Sequence, residues 1–250
     1  MNITLVTGAS AGLGADFARQ CSAQGQRLVL VARRLDRLEA LASELGNARA
    51  VAADLGKPGA AARLMADIAA HGETVDWLIN NAGFGQWSQV VDLDGDRQRN
   101  MIDLNCGALV ELCRAVLPTM IKRGAGAILN VASTAAFQPG PGMAVYFATK
   151  AFVLSFTEAL HEEVRGRGIR VSALCPGPTK TEFGEVAGFK GNGSFDQLSA
   201  RSEDVVRIGL RGLRNNRAVV IPGLINKLGA QGHRLLPRRV LRGVMGKIKL

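Results

Sequence analysis

The chain has 250 residues and a mass of 26.4 kDa, with 47% apolar and 21% charged residues. That suffices to bury a core in one large or two small domains, and it excludes a disordered polar chain. The formal net charge of +10 is unevenly placed: residues 1–204 hold 20 basic against 21 acidic side chains, no Asp or Glu follows Asp204, and the last 46 residues carry +11. A basic isoelectric point therefore says nothing about nucleic acid for the molecule as a whole. The apolar stretches fall short of the ~18 residues of a membrane span. The first basic residue is Arg19, so no basic region precedes an apolar one and no secretory leader is expected. Cys21, Cys106, Cys113 and Cys175 form neither a CxxC nor a ligand pattern, and His71, His161 and His233 are scattered. Reduced thiols, no metal site and a cytoplasmic location are the expectations.

In chain order, Ile3–Val6 reads as a buried strand that runs into Thr7-Gly8, with Gly12 and Gly14 opening a helix over Ala15–Gln24. Leu28–Ala32 is a second fully apolar strand. Leu35, Leu38, Leu41 and Leu45 recur at helical spacing, and Gly46 stops that helix. Ala50–Ala53 is a third strand, Pro58–Ala70 a helix and Asp76–Ile79 a fourth strand. A long helix over Gln98–Lys122, a strand at Ala127–Val131, a helix over Tyr146–Gly166 and strands at Arg170–Leu174 and Arg217–Ile221 complete the series. Alternating strands and helices predict a single α/β domain, a doubly wound parallel sheet of seven strands flanked by helices. The segment Phe183–Ser199 is glycine-rich and aperiodic, and reads as a mobile loop.

Gly8, Ser10, Gly12, Leu13 and Gly14 lie between the first strand and the first helix. Glycines there allow a tight turn and close approach to a pyrophosphate, which the helix N-terminus favours through its free N–H groups. The second strand ends in Ala32-Arg33-Arg34, about 20 residues on, where a carboxylate would read the ribose 2′-hydroxyl of NAD. Arginine cannot accept from a hydroxyl but pairs well with a 2′-phosphate. NADP(H) is the expected cofactor, with Ser10 adding a hydroxyl contact to that phosphate.

With these residues in place, residues 1 to about 225 resemble the short-chain dehydrogenase/reductase family and its Rossmann-like fold. The glycine turn matches TGxxxGxG, Asp54-Leu55 the acidic residue at adenine, and Asn80-Asn81-Ala82-Gly83 the NNAG strand end. Asn105, Ser133, Tyr146 and Lys150 match the catalytic tetrad; Pro176-Gly177 and Thr179 to Thr181 match the segment around the nicotinamide. The resemblance implies that Asn105 holds a water linking Lys150 to solvent and that Lys150 binds the nicotinamide ribose. It implies a pocket built from Phe84–Trp87, Ala135–Met143 and Phe183–Phe195, with Phe84, Trp87, Phe137, Met143, Phe183, Phe189 and Phe195 as candidate walls. It also implies a homodimer or homotetramer, with Gln98–Lys122 and Tyr146–Gly166 as contact surfaces.

The residues themselves carry the chemistry. Tyr146 and Lys150, four apart, share a helix face. A tyrosine with a pKa near 10 is a poor acid–base group at neutral pH, and an adjacent ammonium or a cationic nicotinamide ring would lower it. Tyr146 can then protonate a carbonyl oxygen as hydride arrives, or take a proton from an alcohol. Ser133, at the end of the fifth strand, can donate to a developing alkoxide. An apolar pocket fits a lipophilic ketone, aldehyde or secondary alcohol, and the Phe183–Ser199 loop would close over it. The reading is an NADP(H)-dependent oxidoreductase; a non-catalytic NADP(H) sensor on the same fold is the alternative. Residues 226–250 form a basic extension. Pro237 suits a first helical turn, and Val240, Leu241, Val244, Met245 and Ile248 fall near one face among Arg239, Arg242, Lys247 and Lys249. An oligomer or substrate-site contact, a peripheral membrane contact through residues 233–250, and a solvated tail all remain open. No motif supports a specific nucleic-acid partner.

Overall fold

A computed structural model describes residues 1–188, 199–232 and 237–247. Strands β1 (Asn2–Thr7), β2 (Leu28–Ala32), β3 (Ala48–Ala52), β4 (Thr74–Asn80), β5 (Gly126–Val131), β6 (Ile169–Leu174) and β7 (Val219–Val220) form one sheet of order β3-β2-β1-β4-β5-β6-β7. Every pairing is parallel. Near-continuous apolar runs form its central strands because both faces are covered. The chain winds outward from β1 to β3 and then restarts at β4, beside β1. The connections that leave the carboxyl ends of β1 and β4 therefore run to opposite faces of the sheet, and a crevice opens between them.

Helices α1 (Gly12–Ser22) and α2 (Leu35–Leu45) cover one face, joined by α8 (Ser202–Arg214), and their core includes Phe17, Leu38, Leu41, Val206 and Leu213. Gly46 ends α2 in the left-handed region, at φ 71°, as the sequence predicts. On the other face lie α3 (Ala60–Ala70), α4 (Gly95–Ile102), α5 (Leu109–Arg123) and α6 (Ala144–Glu163); Leu64, Leu112, Val116 and Val153 are in that core. Shorter elements crowd the crevice: a 3-10 turn at Thr134–Phe137, α7 (Phe183–Ala187), α9 (Leu224–Gly232) and α10 (Arg238–Lys247).

Four details depart from the sequence reading. The predicted helix over Gln98–Lys122 is α4 and α5 joined through a π turn at Asp103–Ala108. The run Gly95–Arg123 is long and apolar enough, by length and composition, to cross a membrane, which the count of apolar stretches missed. It lies against the sheet, with Leu109, Leu112, Cys113, Val116 and Met120 buried. Helix α8 was not foreseen. Two glycines sit in its buried face, Gly209 against Leu174 and Gly212 against Val220, between Val205, Val206, Leu210 and Leu213, which keep the helical period. The segment read as a loop from Phe183 begins with the short helix α7; residues 189–198, including Phe189 and Phe195, lie outside the described residues, as do Arg234, Ile248 and Lys249.

Candidate active site

The glycine turn is shaped by contact as well as by backbone conformation. Gly8 (φ 66°) and Gly12 (φ 53°) occupy the left-handed region. A Cβ on Gly14 would collide with the Gly8 carbonyl. The Thr7 hydroxyl accepts from the amides of Asn81 and Ala82, both at 3.0 Å, and donates to Ile79 O at 3.3 Å. Asn81 Nδ2 donates to Thr7 O at 3.0 Å and Gly8 O at 3.2 Å. The ends of β1 and β4 are thus locked together at the switch point. Leu13 packs beneath the turn, Leu55 is buried in the core, and Asp54 accepts from Gly56 N at 3.2 Å.

Arg34 donates to Ser10 Oγ through Nε (3.3 Å) and Nη2 (3.2 Å) and pairs with Glu182 at 3.1 Å. Arg37, absent from the sequence reading, pairs with the other oxygen of Glu182 at 2.6 Å. Arg33 is exposed. Arg34, braced by Ser10, and Arg37 of α2 therefore already hold an anion. A glycine turn open to backbone approach, next to arginines that take an anion, fits a dinucleotide bearing a 2′-phosphate.

Tyr146 and Lys150 are 8% and 6% exposed. Lys150 Nζ donates to Val131 O at 2.8 Å and lies 5.7 Å from the Tyr146 ring centroid. Burial without a carboxylate partner lowers the Lys150 ammonium to about 8. Burial pushes Tyr146 up to about 12, opposed by a hydrogen bond with the Ser133 hydroxyl. The depression expected from the lysine is thus absent in the protein alone, and Ser133 supplies the opposing influence. Ser133 Oγ accepts from Ala135 N at 3.1 Å and donates to Pro176 O at 3.4 Å, which holds it at the mouth of the crevice.

Asn105 sits in the π turn, a local widening and underwinding of the helix common at functional positions. Its side chain accepts from Phe84 N (3.1 Å) and donates to Phe84 O (3.0 Å) and Thr149 Oγ1 (3.0 Å). Those bonds occupy its amide group, so the side chain fixes the NNAG end to α6. A Cβ on Gly83 would stand 2.9 Å from Asn105 Oδ1. Beyond β6, a Cβ on Gly177 would collide with Asn226 of α9, Thr179 donates to Gly177 O at 2.9 Å, and Thr181 lies against Gly12.

Phe84, Met101, Met143, Tyr146, Leu241 and Met245 share one buried apolar cluster, with Trp87 and Phe183 against it. Phe183 lies 5.3 Å from the Tyr146 ring. Phe137 does not join this cluster; it packs into the core on the α5–α6 side of the sheet, because the 3-10 turn points it there. Leu241 and Met245, which the sequence left open between an oligomer or substrate-site contact, a membrane contact and a solvated tail, fall inside this cluster. Sequence reasoning missed Arg97: its guanidinium lies 4.6 Å over the Phe84 ring.

The family model for short chain dehydrogenases matches residues 2–225. The chain belongs to the short-chain dehydrogenases. An NADP-dependent 3-hydroxy acid dehydrogenase, YdfG of Salmonella typhi, is 39% identical over 193 residues, 76% of this chain and 77% of that protein. A short-chain dehydrogenase from Sphingobium yanoikuyae, solved in complex with NADPH, is 34% identical with a TM-score of 0.84 over 100% of this chain and 97% of its own. The bulky-bulky ketone specific alcohol dehydrogenase of Comamonas testosteroni is 30% identical with a TM-score of 0.80, over 100% and 95%. This short-chain dehydrogenase is thus an oxidoreductase by family.

Proposed function

We propose that the protein is an NADP(H)-dependent oxidoreductase that interconverts a lipophilic ketone or aldehyde and the matching alcohol, with Tyr146 as the acid–base group. The observation that carries this is the only tyrosine of the chain, buried beside Ser133 and Lys150 against an apolar wall. Gly8, Gly12, Leu13 and Gly14 would cradle the pyrophosphate, with Asn81, Ala82 and Gly83 along its edge. Ser10, Arg33, Arg34 and Arg37 would hold the 2′-phosphate and Asp54-Leu55 the adenine. Pro176, Gly177, Thr179, Thr181 and Lys150 would hold the nicotinamide half. When bound, that half supplies or accepts the hydride.

In reduction, Ser133 donates to the carbonyl oxygen and Tyr146 delivers its phenolic proton there as the carbon gains hydride. The Lys150 ammonium steadies the phenolate left behind. Phe84, Met143, Phe183, Leu241 and Met245 hold the apolar part of the substrate and exclude water. The four cysteines are buried free thiols, in keeping with a cytoplasmic protein. Burial of Leu241 and Met245 favours the substrate-site role for the basic end. For the membrane alternative, Val240 and Val244 keep an apolar face outward; vesicle sedimentation with and without residues 233–250 tests it, and unchanged binding in the truncated protein eliminates it.

The test follows NADPH and NADH oxidation against carbonyls of graded chain length, with Tyr146→Phe alongside. Turnover with NADPH should fall about 10²–10⁴-fold in the variant while NADPH binding persists. Tight NADPH binding with no turnover on any carbonyl overturns the enzyme reading in favour of the sensor. Arg97 over Phe84 favours one second reading, a small carbonyl that carries an acid group. A preference for such substrates, lost in Arg97→Ala, would establish it.

A further inference from the structure

Glu182 is the odd member of the arginine cluster. It lies 148 residues from Arg34, on the segment after β6, and reaches across the crevice to the start of α2. One carboxylate oxygen takes Arg34 at 3.1 Å and the other takes Arg37 at 2.6 Å. Arg34 also donates to Ser10. These are the groups a 2′-phosphate would need. The neighbours of Glu182 are equally placed. Thr181 packs on Gly12 of the glycine turn, and Phe183 lies on Tyr146 and against Gly85. One residue thus ties the phosphate-reading end of the crevice to the segment above the reacting end.

We propose that Glu182 is an internal counter-ion for Arg34 and Arg37 that the 2′-phosphate of the cofactor displaces, freeing residues 182–187 as it binds. This rests on the NADP(H) reading above. A phosphate monoester carries more charge than a carboxylate and one more acceptor oxygen, and arginine pairs with either in the same forked manner. The two anions repel at one guanidinium, so they exchange rather than share it. Glu182 is 41% exposed and its arginine partners are similarly exposed, so the tie is weak enough to be exchanged. A cofactor without the 2′-phosphate leaves the tie in place. Glu182 is in this sense a specificity-determining residue, which sets what the 2′-phosphate must overcome.

The test compares Kd for 2′,5′-ADP, 5′-ADP, NADP⁺ and NAD⁺ by calorimetry at fixed ionic strength, in the wild type and Glu182→Gln. The substitution should tighten 2′,5′-ADP and NADP⁺ about three- to tenfold and leave 5′-ADP and NAD⁺ unchanged. In the wild type, 2′,5′-ADP should also speed amide exchange across residues 182–187, and 5′-ADP should not. Unchanged or weaker 2′,5′-ADP binding in Glu182→Gln overturns the proposal while NADP(H) stands. Exchange that slows with 2′,5′-ADP overturns the release. A wild type that does not favour 2′,5′-ADP over 5′-ADP overturns the NADP(H) reading and this proposal with it.

Discussion

Lys150 donates to a backbone carbonyl, not a carboxylate, and that decides how the catalytic pair titrates. Its ammonium is lowered to about 8 while burial keeps the Tyr146 proton up to about 12. As pH rises through 8, the ammonium is lost first and the phenolate formed in each reduction loses its counter-charge. We therefore expect kcat/KM for carbonyl reduction to fall above about pH 8, with a single-proton limb of about tenfold per unit. A profile flat to pH 10 would show that Lys150 stays charged throughout. The stability signs are opposite for the two groups. Between about 8 and 10.5 the unfolded chain binds more protons at Lys150, so that contribution to stability rises with pH; between 10 and about 12 the folded chain binds more at Tyr146, so its contribution falls. Tyr146, Lys150 and Ser133, which the structure brings together, were legible in the sequence as a pair on one helix face and a serine at a strand end that match the family's motif. Glu182, Arg37 and Asn226 were not, because what places them is contact between segments far apart in the chain, with no local pattern to mark it.

Helix α10 shows how an element acquires a role its sequence left open. Pro237 precedes it, and Leu241 and Met245 turn one side inward into the cluster that holds Tyr146 and Met143, leaving Val240 and Val244 outside. Leu241→Ala and Met245→Ala should lengthen the pocket. We expect the preferred carbonyl to shift to longer chains, since a methylene in an apolar pocket is worth ~1–3 kcal/mol of discrimination. Stability should fall by about 2 kcal/mol, the low end for a buried Leu or Met truncation, since α10 lies at the rim of the fold. A thermal melt and a chain-length series read both effects; lower stability with an unchanged series would make the helix a brace. Strands were legible because burial on both faces leaves unbroken apolar runs. Helix α8 was legible but not read: Val205, Val206, Leu210 and Leu213 keep a helical period around Gly209 and Gly212, which pack closely on Leu174 and Val220. The π turn was hidden because the bonds that position Asn105 are tertiary.

At the scale of the molecule, two features bear on association. The chain carries +10, concentrated after Asp204, and copies of it repel. Against this, α6 presents Phe152, 44% exposed and stacked on Phe156 with ring centroids 6.0 Å apart, and the run of α4 and α5 presents Ile102 and Ile121. These helices cover the same side of the sheet. A two-fold axis through this side would bury both sets at once, because a symmetric interface uses each patch twice. We propose a homodimer or homotetramer built on α5 and α6, in which Phe152 is a central contact. Phe152→Glu should shift sedimentation equilibrium toward monomer and leave the fold intact, since the side chain faces outward. Salt separates this from contacts made by the basic end. Binding of residues 205–250 to any polyanion falls steeply as salt rises. An apolar interface between like-charged copies holds or strengthens, because screening removes the repulsion and leaves the burial. Association that dissolves with added salt in the wild type, or that persists unchanged in Phe152→Glu, would place the interface elsewhere.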